Sequence, residues 1–484
     1  MIRRLILVAV IFISLTVEAQ NQFIGKWRGK IDVQGMSLTL IFNIDESSLN
    51  KNRSIYSSEL SVPQQGARNI PMSSTQIKKN KISINSNVLG LEYQGKLEKT
   101  EIIKGEFKQN GQTFPLVLTK TKEIQEEFRQ NPKPPFPYQS RNVQFSHGNG
   151  FIRFFGTYSF PKGDSYTSTT PVVILISGSG SQDRDETIMG HKPFLVISDY
   201  LNRQRLAVLR VDDRGAGETK TKPSELKYTT ADRVKDVQSY IQFVRDSMGS
   251  KHPIYLFGHS EGARIAAEVA VKDTQVTKII ALGPALVNGA IINKYQNING
   301  LKKILRDSEY INAYLTLHDS IIGISTELLS GKLKPFQMDT SIKSELNEWK
   351  KHTPNKQYKK IKKKFEKIIK ADFDKYILHQ YSQLLSNHWM LFFLQDNPIK
   401  WWTKIQQPCL LINGELDRQT PTELNKPIFD KYLSNKKNIT YNIIDGINHI
   451  GQKAQTGHPS EYTEITTTVD TSVLGLIGNF FLED

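Results

Sequence analysis

The chain has 484 residues, of which 38% are hydrophobic and 23% are charged, with 31 glycines and 20 prolines. This composition supports a packed core and excludes collagen-like, low-complexity and fully disordered chains. One cysteine, Cys409, excludes an intrachain disulfide and a cysteine-based zinc cage. The net charge of +16 fits an anionic partner, but the lysine-rich stretches that produce it fit a general composition bias equally well.

The first 19 residues have the pattern of a secretory signal peptide. Two arginines precede an apolar run from Leu5 to Val17, and small residues, Val17 and Ala19, stand at positions −3 and −1 before the expected cleavage site. The run is short for a membrane span, and the rest of the chain has no uninterrupted run of about 18 apolar residues. We therefore expect cleavage of residues 1–19 and a soluble protein that is secreted or periplasmic. An uncleaved anchor is the alternative.

Residues 20–121 alternate apolar and polar side chains in short runs, which is typical of antiparallel strands with one face exposed to water. The pair Asn110-Gly111 joins two such runs, Ile103–Phe107 and Thr113–Leu118, and is a strong hairpin signal. We expect a small antiparallel sheet or barrel in this domain.

A proline-rich run, Asn131–Pro137, predicts a stiff linker, which we place at residues 122–139. In the remaining domain, 140–484, short runs rich in β-branched residues alternate with helical stretches. This alternation is typical of a parallel sheet covered by helices on both faces. The expected strands include Val172–Ile176, Ala207–Val211, Ile254–Phe257, Thr277–Leu282 and Cys409–Ile412. The segment 287–400 has helical periodicity instead and is expected to be an insertion over the sheet.

The strongest chemical motif is Gly258-His259-Ser260-Glu261-Gly262, which follows an expected strand and precedes an expected helix. In this context Gly-x-Ser-x-Gly is the nucleophile elbow. Ser260 must hold a strained backbone to project its hydroxyl, and Gly258 and Gly262 remove Cβ atoms that would clash in the turn. A coincidental turn is the alternative.

A serine nucleophile needs a base and an acid that orients the base, and with this elbow they follow it in the order acid, then histidine. Asp417 follows the Cys409–Ile412 strand, and His449 stands in the loop after the last expected strand, Ile439–Ile444. Glu415 and Asp445 are the alternative acids, and Asp417 would then be a turn residue.

A small-residue loop from Ser177 follows the first core strand and lets the backbone approach a substrate. The N–H of Ser179, or alternatively that of Gly178, is the expected second oxyanion donor beside the Glu261 N–H at the start of the following helix. The spacing needed for a phosphate loop is absent. The loop Asp212–Thr219 is expected to be scaffold, with Arg214 held between neighbouring acids, and a wall of the substrate pocket is the alternative.

Together these motifs resemble the α/β-hydrolase superfamily, in particular bacterial secreted esterases grouped with the serine aminopeptidase-like, S33-type hydrolases, several of which carry an N-terminal β domain. The resemblance covers 140–484 well and 20–121 loosely. It implies Ser260, Asp417 and His449 as the catalytic triad and a helical lid at 287–400. Thr219 departs from the serine that is common in that loop.

These residues predict a serine hydrolase that cleaves carboxylic esters of small or medium acyl groups without a metal or an organic cofactor. The alternatives are a peptidase of the aminopeptidase type, which would cleave short peptides, and a non-catalytic binding protein. Residues 288–400 contain 19 Lys/Arg and 11 Asp/Glu, and this net charge of +8 disfavours a cationic substrate. We expect no nucleic-acid partner, and the sequence leaves the oligomeric state open.

Residues 350–370 contain ten lysines and one acid, Glu366. Ile361, Phe365, Ile368 and Ile369 share one helical face, so this face is expected to be buried with the lysines in water. Either the lysines only form the water-exposed face of the helix, or they make a weak contact with an anionic surface. Aromatic residues cluster where the insertion ends, and Trp389 and Phe393 are candidate pocket residues, with lid–core packing as the alternative.

Overall fold

The computed structural model describes residues 22–33, 36–50, 53–62, 67–109, 112–121, 130–146, 152–222, 227–249 and 251–483. The expected signal peptide, residues 1–19, lies outside these ranges. Within them, no helix combines the length and the apolar character needed to cross a bilayer. The described residues up to Thr121, with Ile188–Gly190, form one compact unit, and the other residues from Gln130 onward form a second unit.

The first unit is built from nine strands that pair antiparallel. They are β1 (Gly25–Val33), β2 (Met36–Asn50), β3 (Arg53–Val62), β4 (Ala67–Pro71), β5 (Ser74–Lys78), β6 (Lys81–Ser86), β7 (Leu91–Lys99), β8 (Ile102–Gln109) and β9 (Gln112–Thr121). The hydrogen-bonded order is β2-β1-β9-β8-β7-β6-β5-β3, and β3 also pairs with β2, so these eight strands close a barrel-like ring, while β4 pairs with β3.

The alternation of side chains explains why these strands share one core. In β7, Leu91, Tyr93 and Leu97 are buried and their neighbours are more exposed. The expected hairpin is confirmed in its strands, because β8 and β9 pair antiparallel with Gln109 opposite Gln112. The Asn110-Gly111 turn itself lies outside the described residues.

The second unit is built on one mixed sheet of eight strands. They are β10 (Tyr138–Ser146), β11 (Arg153–Pro161), β12 (Val172–Ile176), β13 (Ala207–Val211), β14 (Ile254–His259), β15 (Val276–Leu282), β16 (Cys409–Gly414) and β17 (Ile439–Ile444). The order is β10-β11-β13-β12-β14-β15-β16-β17. The six strands from β13 to β17 in this order run parallel, whereas β11 is antiparallel to both of its neighbours, β10 and β13.

Twelve α-helices belong to this unit in the described residues. They are α1 (Pro193–Arg203), α2 (Thr230–Ser247), α3 (Glu261–Lys272), α4 (Gly289–Ile304), α5 (Ser308–Leu329), α6 (Met338–His352), α7 (Asn355–Ile369), α8 (Phe373–Ser386), α9 (His388–Gln395), α10 (Ile399–Trp402), α11 (Thr422–Tyr432) and α12 (Thr471–Leu482). Short 3₁₀ turns occur at Gly163–Ser165, Pro335–Gln337 and Pro459–Glu461.

Helices cover both faces of the sheet, as the continuous apolar strands predict. In β12, Val172 and Ile174 pack with residues of α2 and α3, whereas Val173 and Leu175 pack with residues of α1 and α12. The segment between β15 and β16 contains α4 to α10 and no strand, which confirms the expected helical character of residues 287–400.

The boundary between the domains lies closer to the N-terminus than residue 140, which corrects the expected linker 122–139. The side-chain amide of Gln130 donates to the Val469 carbonyl at 2.6 Å and accepts from the Thr468 N–H at 2.7 Å. Tyr138 begins β10, and its hydroxyl donates to Asp199 at 2.8 Å. Residues 130–139 are therefore part of the second unit, because their polar groups are bonded into it.

The insertion has a buried core of its own, to which the lysine-rich helix α7 contributes. Ile361, Phe365 and Ile369 are buried, and the Phe365 ring stacks on Tyr314 at 5.0 Å. Ile368 is 46% exposed, so its expected burial was wrong. At about 100° per residue, Ile368 lies at the margin of the stripe centred on Phe365.

The lysines of this helix do not all face water. Lys362 lies 3.5 Å from Glu366 and 3.6 Å from Asp372, and Lys364 donates to the Leu305 carbonyl. Lys363 is exposed. Contact with an anionic surface stays a prediction.

Candidate active site

The elbow stands where β14 meets α3. Ser260 has φ 53° and ψ −118°, a positive φ that an L-residue rarely adopts. A Cβ atom on Gly258 would lie 2.3 Å from the Gly262 carbonyl oxygen, and one on Gly262 would lie 2.1 Å from that of Ile176. Both glycines are therefore required by the close approach of strand, turn and helix.

Asp417 and His449 come together at the carboxyl ends of β16 and β17. The Nδ1 atom of His449 is 2.8 Å from Oδ2 of Asp417, and both side chains are almost fully buried. The His449 ring centroid is also 4.9 Å from the ring of His259, the residue before Ser260. The fold thus brings the acid and the histidine next to the elbow.

The pKa of the Asp417 carboxyl lies below its ordinary value. Burial alone would raise this pKa, but the charge of His449, its hydrogen bond and the N–H groups of Gln419 and Thr420 outweigh the effect of burial. Each of these two N–H groups donates to Oδ1 at 2.8 Å. Asp417 is therefore held as a carboxylate that can stabilise an imidazolium.

Sequence reasoning missed Thr420 and Asn413. The Thr420 hydroxyl lies 2.8 Å from Oδ2 of Asp417 and 3.2 Å from Nδ1 of His449, and the Asn413 amide donates to the same carboxylate oxygen at 3.2 Å. A threonine three residues after the acid has no distinctive sequence signal, because many turns contain one. In the structure, both residues fix the carboxylate that faces the histidine.

Gly178 is not free to act as an oxyanion donor. Its N–H donates to Oε1 of Glu186 at 2.7 Å, and its carbonyl accepts from Arg233 at 2.6 Å. This corrects the Gly178 alternative, because the N–H is already engaged by a buried carboxylate. Ser179, the next residue, lines the cavity that contains Ser260.

That cavity has a volume of about 210 Å³ and lies between the elbow and the insertion. Its polar wall includes Ser179, Ser260, Glu261 and Thr420. Its apolar wall comprises Ala285, Val287, Ile292, Trp389, Met390, Phe393 and Pro398. The rings of Trp389 and Phe393 stack with their centroids 5.3 Å apart, so the two candidate pocket residues form one aromatic surface.

A comparison with protein families identifies residues 193–450 as a match to the family described as serine aminopeptidase, S33. The match spans just over half of the chain. This protein belongs to the serine aminopeptidase S33 family. The matched span includes Ser260, Asp417 and His449.

The individual proteins that resemble this S33 protein share less than a third of the aligned residues with it. Esterase EstD of Thermotoga maritima is 29% identical over 130 residues, which are 27% of this chain and 30% of the relative, so the alignment spans less than a third of the relative's length. The solved esterase Pf2001 of Pyrococcus furiosus is 14% identical with a TM-score of 0.40, covering 71% of this chain and 90% of that one. A dienelactone hydrolase from Anabaena variabilis is 12% identical with a TM-score of 0.36, and the match covers 72% of this chain and 98% of that one.

The two alternative acids are differently placed in this S33 chain. Glu415 is exposed, and its carboxylate accepts from the Gly446 N–H at 2.9 Å. Asp445 is also exposed. Among the residues that the structure describes, Asp417 is the only carboxylate hydrogen-bonded to His449.

The Asp212–Thr219 loop is held differently from the expectation. Arg214 donates to Asp236 of α2 at 2.5 and 2.8 Å, rather than lying between its neighbouring acids. Asp213 is bound by Arg233 at 2.9 Å, and Asp212 by Arg184 at 2.6 Å. Glu218 is also paired with Arg184. The loop is nevertheless tied to the scaffold, because each of its four charged residues has a partner on another segment.

Proposed function

We propose that this protein hydrolyses carboxylic esters of small or medium acyl groups, with Ser260 as nucleophile, His449 as general base and Asp417 as the acid that orients it. The observation that carries the proposal is the 2.8 Å contact between His449 Nδ1 and Asp417 Oδ2 beside the strained serine. The protein's membership of the S33 family supports this proposal, and so does the name of its relative from Thermotoga maritima, an esterase.

In the proposed acylation step, Nε2 of His449 takes the proton of the Ser260 hydroxyl as Oγ attacks the ester carbonyl carbon. The carbonyl oxygen becomes an oxyanion, which accepts hydrogen bonds from the N–H groups of Glu261 and Ser179. The imidazolium of His449 then protonates the leaving alkoxide oxygen, and the carbon–oxygen bond breaks. Loss of one oxyanion donor typically costs about 3 kcal/mol of barrier.

Deacylation repeats the same proton movements with water. His449 takes a proton from a water molecule, whose oxygen attacks the acyl carbon, and then returns a proton to Oγ of Ser260 as the acid leaves. The buried carboxylate of Asp417 stabilises the imidazolium in both halves. The chain's own groups suffice for every step.

We assign the helical insertion the role of a lid. Trp389 and Phe393 of α9 line the cavity together with Ser260 of the elbow. The Trp389 indole N–H donates to the Glu261 carboxylate at 2.8 Å, which connects the insertion directly to the residue after the nucleophile. An aromatic wall in this place suits an acyl chain or an aryl leaving group.

The test combines labelling and kinetics. The full chain should react with a fluorophosphonate at Ser260 and hydrolyse acetyl, butyryl or octanoyl nitrophenyl esters, while Ser260→Ala does neither. Faster cleavage of aminoacyl nitroanilides would favour the peptidase alternative. A folded protein that is neither labelled nor active on either substrate class would overturn the proposal.

Export remains a separate proposal that depends on residues 1–19. We propose that they are removed after Ala19 and that the mature protein is secreted or periplasmic. N-terminal sequencing of protein recovered from the periplasm or medium should then begin at Gln20. An intact N-terminus in the membrane fraction would contradict it.

A further inference from the structure

Glu261 is one of the cavity-lining residues, although the proposed mechanism uses only its backbone N–H. Only 7% of the Glu261 surface is exposed to solvent. Oε1 accepts two hydrogen bonds, from the Thr230 hydroxyl at 2.5 Å and from the Trp389 indole N–H at 2.8 Å. These two donors come from α2 and α9, so the carboxylate is held from two sides.

The second carboxylate oxygen, Oε2, has no such support. It is buried, and no described residue donates a hydrogen bond to it. The nearby cation Arg233 does not meet this need, because its guanidinium donates to Ser177, Asp213 and the Gly178 carbonyl. A buried carboxylate oxygen without a donor costs free energy, so a ligand that supplies a donor is favoured there.

The other charged side chains of the cavity wall satisfy each other. Arg264 donates to Asp396 at 2.5 and 3.0 Å, and it also donates to Glu268, which is not a cavity-lining residue. No lysine with a described side chain is among the cavity-lining residues. The local wall therefore carries one acid that is not neutralised by an ion pair in it, whereas the insertion as a whole is basic.

We propose that Glu261 is a specificity-determining residue: on substrate binding a small rotation of its carboxylate exposes Oε2 to this cavity, where it accepts a hydrogen bond from a hydroxyl or amino group of the substrate. This inference rests on the proposed ester hydrolysis. Ser260 and Glu261 line the same cavity, so a substituent close to the scissile carbonyl is bound near Glu261. A site built to accept from a substrate donor discriminates against the analogue that lacks the donor, since the buried acceptor is then left unpaired.

The test compares three nitrophenyl esters on the full chain: butyrate, 3-hydroxybutyrate and 3-aminobutyrate. The wild-type kcat/KM should favour at least one substituted ester over butyrate by about tenfold or more, as expected for a hydrogen bond to a charged acceptor. Preference for the hydroxy ester or for the amino ester identifies the source of the donor.

Glu261→Gln should abolish a preference for the amino ester and lower one for the hydroxy ester, because the amide can keep its carbonyl toward Thr230 and Trp389 while its NH2 group replaces the acceptor. An ammonium group cannot accept from that NH2 group, whereas a hydroxyl can. Glu268→Gln makes the same change on the same helix, outside the cavity-lining residues, and should leave the ratio unaltered. If Glu261→Gln does not fold, Trp389→Phe is the second variant. It removes a donor that holds the carboxylate, and it should lower the ratio.

Equal kcat/KM values for the three esters in the wild type would overturn the specificity proposal and leave ester hydrolysis standing. A wild-type preference that persists undiminished in folded Glu261→Gln would also overturn it. Hydrolysis of none of the three esters would overturn the proposed function, and the inference with it.

Discussion

The buried imidazole of His259 is bonded to Glu186, with Nδ1 2.8 Å from Oε1 of the carboxylate. On its other side, Nε2 lies 3.1 Å from the backbone carbonyl of His449. The same Glu186 oxygen accepts from the Gly178 N–H. Glu186 and His259 thus connect the loop after β12 with the backbone of the histidine beside Asp417.

This pair predicts a pH-dependent stability. Burial would lower the pKa of His259, but the charge and hydrogen bond of Glu186, the His449 carbonyl and the charge of Asp417 raise it above its ordinary value of 6.5. A raised folded-state pKa means that the stabilisation is fully present below the unfolded pKa and is lost as pH rises through the folded pKa.

We therefore expect Glu186→Gln to lower the free energy of unfolding by on the order of 3 kcal/mol at pH 5.5, and by less at pH 9. The measurement is urea unfolding of wild type and variant at both values of pH, monitored by intrinsic tryptophan fluorescence. An equal loss at both would show that the pair is not a charged one.

Asp417→Asn should lower kcat for ester hydrolysis by about 10⁴-fold, because an amide cannot hold the His449 tautomer needed for proton transfer. Glu415→Gln and Asp445→Asn are matched controls, since both acids are exposed, and they should stay within a few-fold of wild type. If Asp417→Asn retains activity and one of the two controls loses most of it, the residue changed in that control is the acid that orients His449.

The stacked pair Trp389 and Phe393 should set the preference for acyl length. Trp389→Ala enlarges the cavity and should shift the ratio of octanoyl to acetyl ester hydrolysis upward, while Trp389→Phe should shift it less. Phe393→Ala tests the other ring. An unchanged ratio, combined with a lower midpoint of thermal unfolding, would mean that the rings only pack the insertion against the elbow.

Cys409 should report on the opening of the sheet. Its side chain is fully buried in β16, and burial raises the pKa of the thiol, so the reactive thiolate is scarce. A thiol reagent should react with the native protein far more slowly than with the urea-unfolded chain. Rapid stoichiometric reaction without denaturant would contradict the burial of this strand.

A fragment that begins at residue 128 should fold and keep activity on small esters. The cavity-lining residues run from Ser179 to Thr420, and the last strand of the barrel-like unit, β9, ends at Thr121. A fragment that begins at residue 140 should be less stable, because it lacks Gln130 and Tyr138. Loss of activity in a folded 128–484 fragment would assign the first unit a role in the site.

The sequence was most informative where a local pattern has one physical solution. The strands Val172–Ile176 and Ala207–Val211 have the predicted bounds, because short continuous apolar runs can be buried on both faces only inside a covered sheet. The elbow was predictable for a similar reason. Only glycine fits at Gly258 and Gly262, where a Cβ would lie 2.1–2.3 Å from a carbonyl oxygen.

Tertiary structure decided the features that depend on partners distant in the chain. Glu186 and His259 are 73 residues apart, and Glu261 and Trp389 are 128 apart, and no local pattern connects them. The hydrogen bond from the Gly178 N–H to Glu186 and the Asp236 partner of Arg214 were missed because no local pattern indicates them. Hydrogen bonds and packing among such residues depend on where the strands and the insertion place them, whereas periodicity and turn chemistry depend only on near neighbours.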